Sequence, residues 1–571
     1  MVQMAIYASE MLSVEGMIRD HGLGMLTQDD WTWIWYFDSA GAIQAQGFNI
    51  LAHTADFVLV LMLLQRFKLP QWGFPPGTNS EARLNVVRGL ALPRDVPRDE
   101  IPAGPAGSTR TMPAQPAAMT FEVVGTSRNG VPKTMVVDPQ CVLHKPSPIL
   151  KGRRTTVLEA QDPDMPTMSY VAKWSYPQTT RHNEAETVWI AREIVEEMGK
   201  EVLGTLTDVA AFKDFAHLST DDVRGHLRLF SDSTRSLIDA EHHGERILRC
   251  IFEEKLKPLT YLAGLEFVRG MIDCIYCHML LWIGNDRYRI EHTDISFWNL
   301  GVDLYSLCIR VRDFDLARVV VVGQPSIPQG SERTGTIPFM ALDLLTDAYW
   351  KGHIERLYRH DLEAFVWVAL YYAWAFDDEG LEDMDSPVRD WLTADYVECY
   401  DKKSNFLMSR TGQLPDWRTR TSADTPLGYA LSFARLISQW LLGEHTQRRR
   451  AADPQVDALD PFARKNHPSR SHDDELEQAR RDFDNFWVDI GAIRIAVKGV
   501  EATPERVEYF KLREKKVEEL MVQRKTEEDR LNREAEAEER ERKKVKKEAE
   551  QEARDERDRL LKLQRKVNSA L

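Results

Sequence analysis

Apolar and polar positions divide the chain into stretches of different period. Near the N-terminus, "WTWIWYF" (31–37) and "AIQAQGFNI" (42–50) flank "DSAG", which predicts a strand, a turn and a strand. "TADFVLVLMLLQRF" (54–67) is apolar almost throughout and opens on Thr54, so it predicts a mostly buried helix with a Thr cap. From 119 to about 175 the pattern turns strand-like in "MTFEVVG", "KTMVVD", "TTVLEA" and "SYVAKWSY". After about 183 helical periodicity is expected to dominate up to about 445. A strand-rich segment followed by a helix-rich one predicts an α+β chain of two lobes with a cleft between them.

Composition sharpens these boundaries. Residues 1–73 read as a folded N-terminal segment, and 74–118 as a linker or insertion rich in Pro, Gly, Ala and Ser. The remainder divides into a strand-rich lobe (119–258), a helical lobe (259–445), a polar connector with a helix (446–500) and a charged tail (501–571). In the tail, opposite charges recur three and four residues apart, which predicts a long exposed helix. Val517, Leu520, Leu531, Val545, Leu560, Leu563 and Val567 keep heptad order only in patches. A coiled coil that recruits a partner or pairs two copies and a solvated single helix both remain open. "KKVKK" (543–547) is a possible nuclear address that sits within this charged helix.

The net charge of −15 argues against general nucleic-acid or anionic-membrane binding. "FVLVLMLL" and "FVWVALYYAWAF" are too short to span a bilayer, and the first residues lack the basic flank of a secretory signal. Six cysteines in 571 residues give no disulfide framework. The expectation is an intracellular protein, cytoplasmic or nuclear. "CIYCH" (Cys274, Cys277, His278) has a haem-attachment spacing but lies inside an apolar-periodic helix, so buried helix residues are expected there.

The chemistry concentrates in "EHTDISFWNLGVDLYSLCIRVRDFDLA" (291–317). Phosphoryl transfer requires a carboxylate at the acceptor hydroxyl, hard oxygen ligands for magnesium and a cation on the nucleotide phosphates. His292-Thr293-Asp294, with Asn299 five positions after the Asp, resembles the catalytic loop H-R-D-x-x-x-x-N of protein kinases. Asp313-Phe314-Asp315 stands where D-F-G is expected. This resemblance implies Asp294 as catalytic base, with Asn299 and Asp313 as magnesium ligands. "GTIPFMALD" (335–343) resembles the end of an activation segment, with Thr336 positioning the acceptor side and Asp343 pairing with an Arg of the large lobe. Asp361, in "RHDLEAF", would hold the catalytic-loop backbone. Upstream, Lys173 in "SYVAKWSY" resembles the phosphate-binding lysine, and Glu184 and Glu186 both qualify as its partner. Glu184 is favoured because Val188, Ala191 and Val195 follow it on a core-facing stripe.

"HTDIS", "DFDLA", "GTIPFMALD" and "HDLEAF" together are similar to the fungal-type protein kinase family, as are "YASEMLS", "WIWYFDSAGAI" and "QWGF". The resemblance covers about residues 5 to 440. It implies a bilobal kinase fold with an accessory N-terminal segment, ATP with magnesium, and Ser or Thr of a protein substrate as acceptor. Thr293 replaces the Arg that binds an activation-segment phosphate, so Ser326, Ser331 and Thr334 are not expected to act as switches. "LKGRRTTVLEA" keeps only Gly152 of a glycine-rich phosphate loop, and the Arg154 side chain would either obstruct the phosphates or bind them. A partner-binding pseudokinase scaffold and a small-molecule phosphotransferase are the alternative functions.

Overall fold

A computed structural model describes residues 2–13, 18–75, 120–146, 148–228, 244–324, 335–377, 379–410, 426–451, 472–497 and scattered positions between 503 and 543. The expected Pro-rich linker, Ser326, Ser331, Thr334, Val517, Leu531 and everything after Lys543 lie outside the described residues.

The N-terminal segment begins with α1 (Val2–Leu12) and continues as a small antiparallel sheet of β1 (His21–Gln28), β2 (Trp31–Asp38), β3 (Gly41–Gln44) and β4 (Phe48–Asn49). The expected strand-turn-strand is the β2–β3 hairpin, in which Asp38 faces Gly41. The helix α2 (Thr54–Gln65) forms where its pattern predicts, but two details of the expectation are overturned. His53, not Thr54, takes the cap position, and the Thr54 hydroxyl donates back to the Ile50 carbonyl. None of its residues is buried, and Leu59 is 54% exposed. An all-apolar helix shows what it can bury, while burial itself depends on a neighbouring surface.

Six strands close into a barrel in the order β10-β8-β7-β6-β5-β9. They are β5 (Phe121–Thr126), β6 (Pro132–His144), β7 (Thr156–Gln161), β8 (Ser169–Ser175), β9 (Val209–Ser219) and β10 (Ile247–Glu254). Inward residues, among them Val137, Leu158, Ala172, Trp174, Leu248 and Phe252, fill its interior. Closure rests on one register pair between β5 and β9, Thr126 with Phe212. Strands β9 and β10 correct the expectation of helices after 183. The alternation in "VAAFKDFAHLS" buries Val209, Ala211 and Phe215 in a half-exposed strand.

Between β8 and β9 runs α3 (Glu184–Met198), capped by the Asn183 side chain, which accepts from the Ala185 amide at 2.9 Å. Its buried face, Val188, Ala191, Ile194 and Val195, belongs to one core with the helices that follow. After β9 come α4 (Asp221–Arg228) and α5 (Gly264–Ile283). Cys274, Cys277 and His278 are buried on α5, where the Cys274 thiol donates to the Ile309 carbonyl. Two small sheets follow: β11 (Lys257–Pro258) with β13 (Leu300–Asp303) and β14 (Cys308–Val311), and β12 (Tyr288–Glu291) with β15 (Arg318–Val321). The remaining helices are α6 (Asp347–Trp350), α7 (Tyr358–Ala375), α8 (Tyr396–Arg410), α9 (Pro426–Ala451), α10 (His472–Asp489) and α11 (Gly491–Val497). Helix α7 is buried on every side, as its unbroken apolar run requires. Among the described residues no helix is long and apolar enough to cross a membrane.

The N-terminal sheet is fixed to the barrel by charged and backbone contacts. Asp38 accepts two hydrogen bonds from Arg224 of α4, at 2.8 and 3.1 Å, and Ile18 joins the barrel core.

Candidate active site

Lys173 lies on β8, 5% exposed. Its Nζ is 2.8 and 2.9 Å from the two Glu184 oxygens and 2.6 Å from Asp313 Oδ1. Glu184 opens α3 and points inward, while Glu186 faces solvent, so helix geometry selects the first of the two expected partners. Burial opposes the charge on Lys173, but Asp313 and Glu184 outweigh it and hold the ammonium above the ordinary lysine range. Burial likewise acts to raise Asp313, and Lys173 and Arg153 reverse this to hold it below the usual carboxylate range.

The loop after β12 carries His292, Thr293 and Asp294, all buried. Thr293 has φ 63°, a left-handed conformation that a β-branched residue adopts only when its surroundings dictate it. Two hydrogen bonds do so: its amide donates to Asp361 Oδ2 at 3.0 Å, and its hydroxyl to the Leu316 carbonyl at 2.8 Å. Asp361, fully buried at the head of α7, also accepts from Arg356 at 2.7 Å, and His278 Nε2 lies 3.2 Å from it. His292 Nε2 faces the Arg312 carbonyl at 3.2 Å and its ring packs edge-on against Phe314. Burial lowers its pKa.

Both oxygens of Asp294 are oriented. Oδ1 accepts from the Thr336 amide at 2.8 Å and hydroxyl at 2.7 Å; Oδ2 accepts from Asn299 Nδ2 at 3.0 Å. Asn299 Nδ2 also donates to the Asp294 carbonyl at 2.8 Å, which turns its amide oxygen outward from these contacts. Ser296 caps the short helical turn that carries Asn299. Asp343 pairs with Arg359 at 2.6 Å and with Arg448 of α9 at 3.1 Å.

The β6–β7 connection holds the residues read as a phosphate loop. Gly152 has φ 140°, where a side chain is strained, and its amide donates to the Ser39 carbonyl at 3.0 Å. Arg154 is buried with φ 47° and points away from Asp313. Its guanidinium donates to the Arg19 and Asp20 carbonyls at 3.0 Å each and lies over the Tyr176 ring. Its side chain is therefore held by the N-terminal segment, turned neither across the connection to obstruct phosphates nor inward to bind them. Arg153 instead turns inward, with Nη1 2.5 Å from Asp315 Oδ2. That pair spans 162 residues and leaves no periodic trace; the only sequence signal is an Asp in the third place of "DFD" opposite an Arg in the loop.

Lys173 thus meets Glu184 and Asp313, Asp294 meets Asn299 and Thr336, and Asp361 meets the Thr293 amide, while the Arg153–Asp315 pair lies outside what the sequence led one to expect. Among solved structures, the Cydia pomonella Granulovirus kinase PK-1 is 16% identical over 38% of this chain and 65% of that chain, with a TM-score of 0.24. The chain therefore spans just under two thirds of that kinase's length. No protein of curated function matches the chain. The family model described as fungal protein kinase matches residues 1–373, from the N-terminal sheet through the site and into α7. That match covers well over half of the 571 residues, so the chain belongs to the fungal protein kinase family.

Proposed function

We propose that the chain is an ATP-dependent protein kinase that transfers the γ-phosphate to Ser or Thr of a protein substrate. The observation that carries this reading is the convergence on Lys173 of Glu184 and Asp313, 11 and 140 residues away in sequence. In this reading the barrel (within 119–258) and the helical part (within 259–445) are the two lobes of a kinase. The N-terminal sheet is the accessory segment, and the charged tail is a docking or dimerising arm.

The donor set fits magnesium. The Asn299 amide oxygen and Asp313 Oδ2 are hard oxygens left over from the contacts above, and magnesium takes few protein ligands beside substrate phosphates. When bound, the ion neutralises phosphate charge. Lys173 leaves part of its pairing with Asp313 to meet the nucleotide phosphates. Asp294, its rotamer fixed by Thr336 and Asn299, orients the acceptor hydroxyl and takes its proton. The hydroxyl oxygen then bonds to the γ-phosphorus as the bond to the ADP oxygen breaks.

Transfer of labelled phosphate from ATP, compared between the parent and Asp294→Asn, tests the proposal. Turnover should fall at least about tenfold while ATP still binds, because positioning and electrostatics act on the transferring group. Equal background in both proteins would favour the scaffold reading. That reading draws support from the Gly152 amide, which is bonded to Ser39. The matched activation-segment end "GTIPFMALD" counts against a small-molecule phosphotransferase.

A further inference from the structure

A glycine-rich phosphate loop works through backbone amides that approach the phosphates closely. The β6–β7 connection is built differently. The amide of Gly152 is engaged with Ser39, and Arg154 faces the N-terminal segment. Arg153 is the residue of this turn aimed at the site. Its carbonyl accepts from the Tyr176 amide at 2.8 Å, which fixes the backbone, and its side chain reaches Asp315, itself 2% exposed. The Arg153 side chain is 33% exposed as a whole, and the contact with Asp315 uses one of the five N–H groups of its guanidinium. It also lies within the field of Asp313 and Asp294, the two carboxylates between which a transferring phosphate would sit.

We propose that Arg153 is the group by which this loop contacts the transferable phosphate of the nucleotide, and that Asp315 is the positioning residue that keeps its fork aimed at the site. The proposal rests on the kinase reading above. A planar guanidinium pairs with phosphate oxygens in two parallel hydrogen bonds, so it supplies at one point what a glycine loop supplies along its backbone. Asp315, in place of the glycine of D-F-G, is the matching half of the same device.

The test is nucleotide affinity of the full chain for ATP, ADP and adenosine with magnesium, measured by calorimetry. Arg153→Gln alone would leave Asp315 buried without its partner, so the main variant is Arg153→Gln/Asp315→Asn, which removes both charges together. It should bind ATP about tenfold or more weakly, with ADP and adenosine within about twofold of the parent. Asp315→Asn alone should weaken ATP by a smaller factor and leave ADP unchanged. ATP held within about twofold by the double variant would overturn the proposal, as would an equal loss for ADP. Parental ATP binding by Asp315→Asn would overturn its positioning role. A parent that binds none of the three would instead overturn the kinase reading, and this inference with it.

Discussion

Arg154 combines a left-handed backbone with a buried, three-way side-chain contact, so Gly and Ala replacements separate the two effects. Either substitution removes two charge-assisted hydrogen bonds, to the Arg19 and Asp20 carbonyls, and the stacking over Tyr176 at 4.5 Å. The two carbonyls belong to half-buried residues that water can reach, so each bond contributes at the low end of its range. About 1.5 kcal/mol per bond gives about 3 kcal/mol of anchoring lost between the β6–β7 connection and the N-terminal sheet. Ala keeps the positive φ, whereas Gly relieves it by about 1 kcal/mol. Hydrogen exchange of β1 and β2 reads this local anchoring directly. Arg154→Ala should lower their protection about a hundredfold, and Arg154→Gly several-fold less. Equal loss in the two variants would refute the backbone argument. Parental protection in Arg154→Ala would refute the anchor itself.

Asp313→Ala should abolish the magnesium-dependent part of ATP's thermal stabilisation without unfolding the chain; a full remaining shift would remove Asp313 as a ligand. His360 is fully buried and accepts from the Leu357 amide; burial lowers its pKa to about 4, Arg359 and Arg356 adding and Asp343 opposing. Its folded pKa lies below the unfolded 6.5, so its contribution is complete above pH 6.5 and is lost as pH falls toward 4. His360→Gln, which keeps an acceptor for Leu357, should flatten that part of the stability profile, by up to about 3 kcal/mol in urea titrations at the two pH values. Removing 501–571 should leave the cooperative melt intact and change the mass in solution or the partner profile. Collapse of the melt would mean the tail belongs to the fold.

The site was legible where chemistry fixes spacing along a short stretch. Asp294 and Asn299 lie in one loop and their side chains meet at 3.0 Å, so their separation shows directly. Lys173 and Glu184 were legible because a strand and a helix stripe each orient one side chain. What escaped were contacts whose partner lies far along the chain. Arg153 and Arg154 are neighbours of the same type, yet one turns inward to Asp315 and the other outward to Arg19 and Asp20. Their directions are set by partners far along the chain, which composition does not encode. Strand β9 escaped for a different reason: Lys213 stands in the alternating series of Val209, Ala211 and Phe215 yet is exposed, so a charge breaks the apolar period. For α2 the pattern gave the helix and could not give its surroundings.

The barrel's single stitch between β5 and β9 bears on how the protein behaves when concentrated. Gly125 sits at that seam, where a Cβ would lie 2.9 Å from the Phe212 carbonyl oxygen and 3.1 Å from Ala211 Cβ. Only a bare backbone lets the two strands meet there. Were the seam to part, β5 and β9 would each present unpaired amides and carbonyls, the template along which separate chains add strand to strand. Closure therefore protects solubility as well as shape, and the smallest side chain at position 125 is what keeps this barrel from offering an edge to its neighbours.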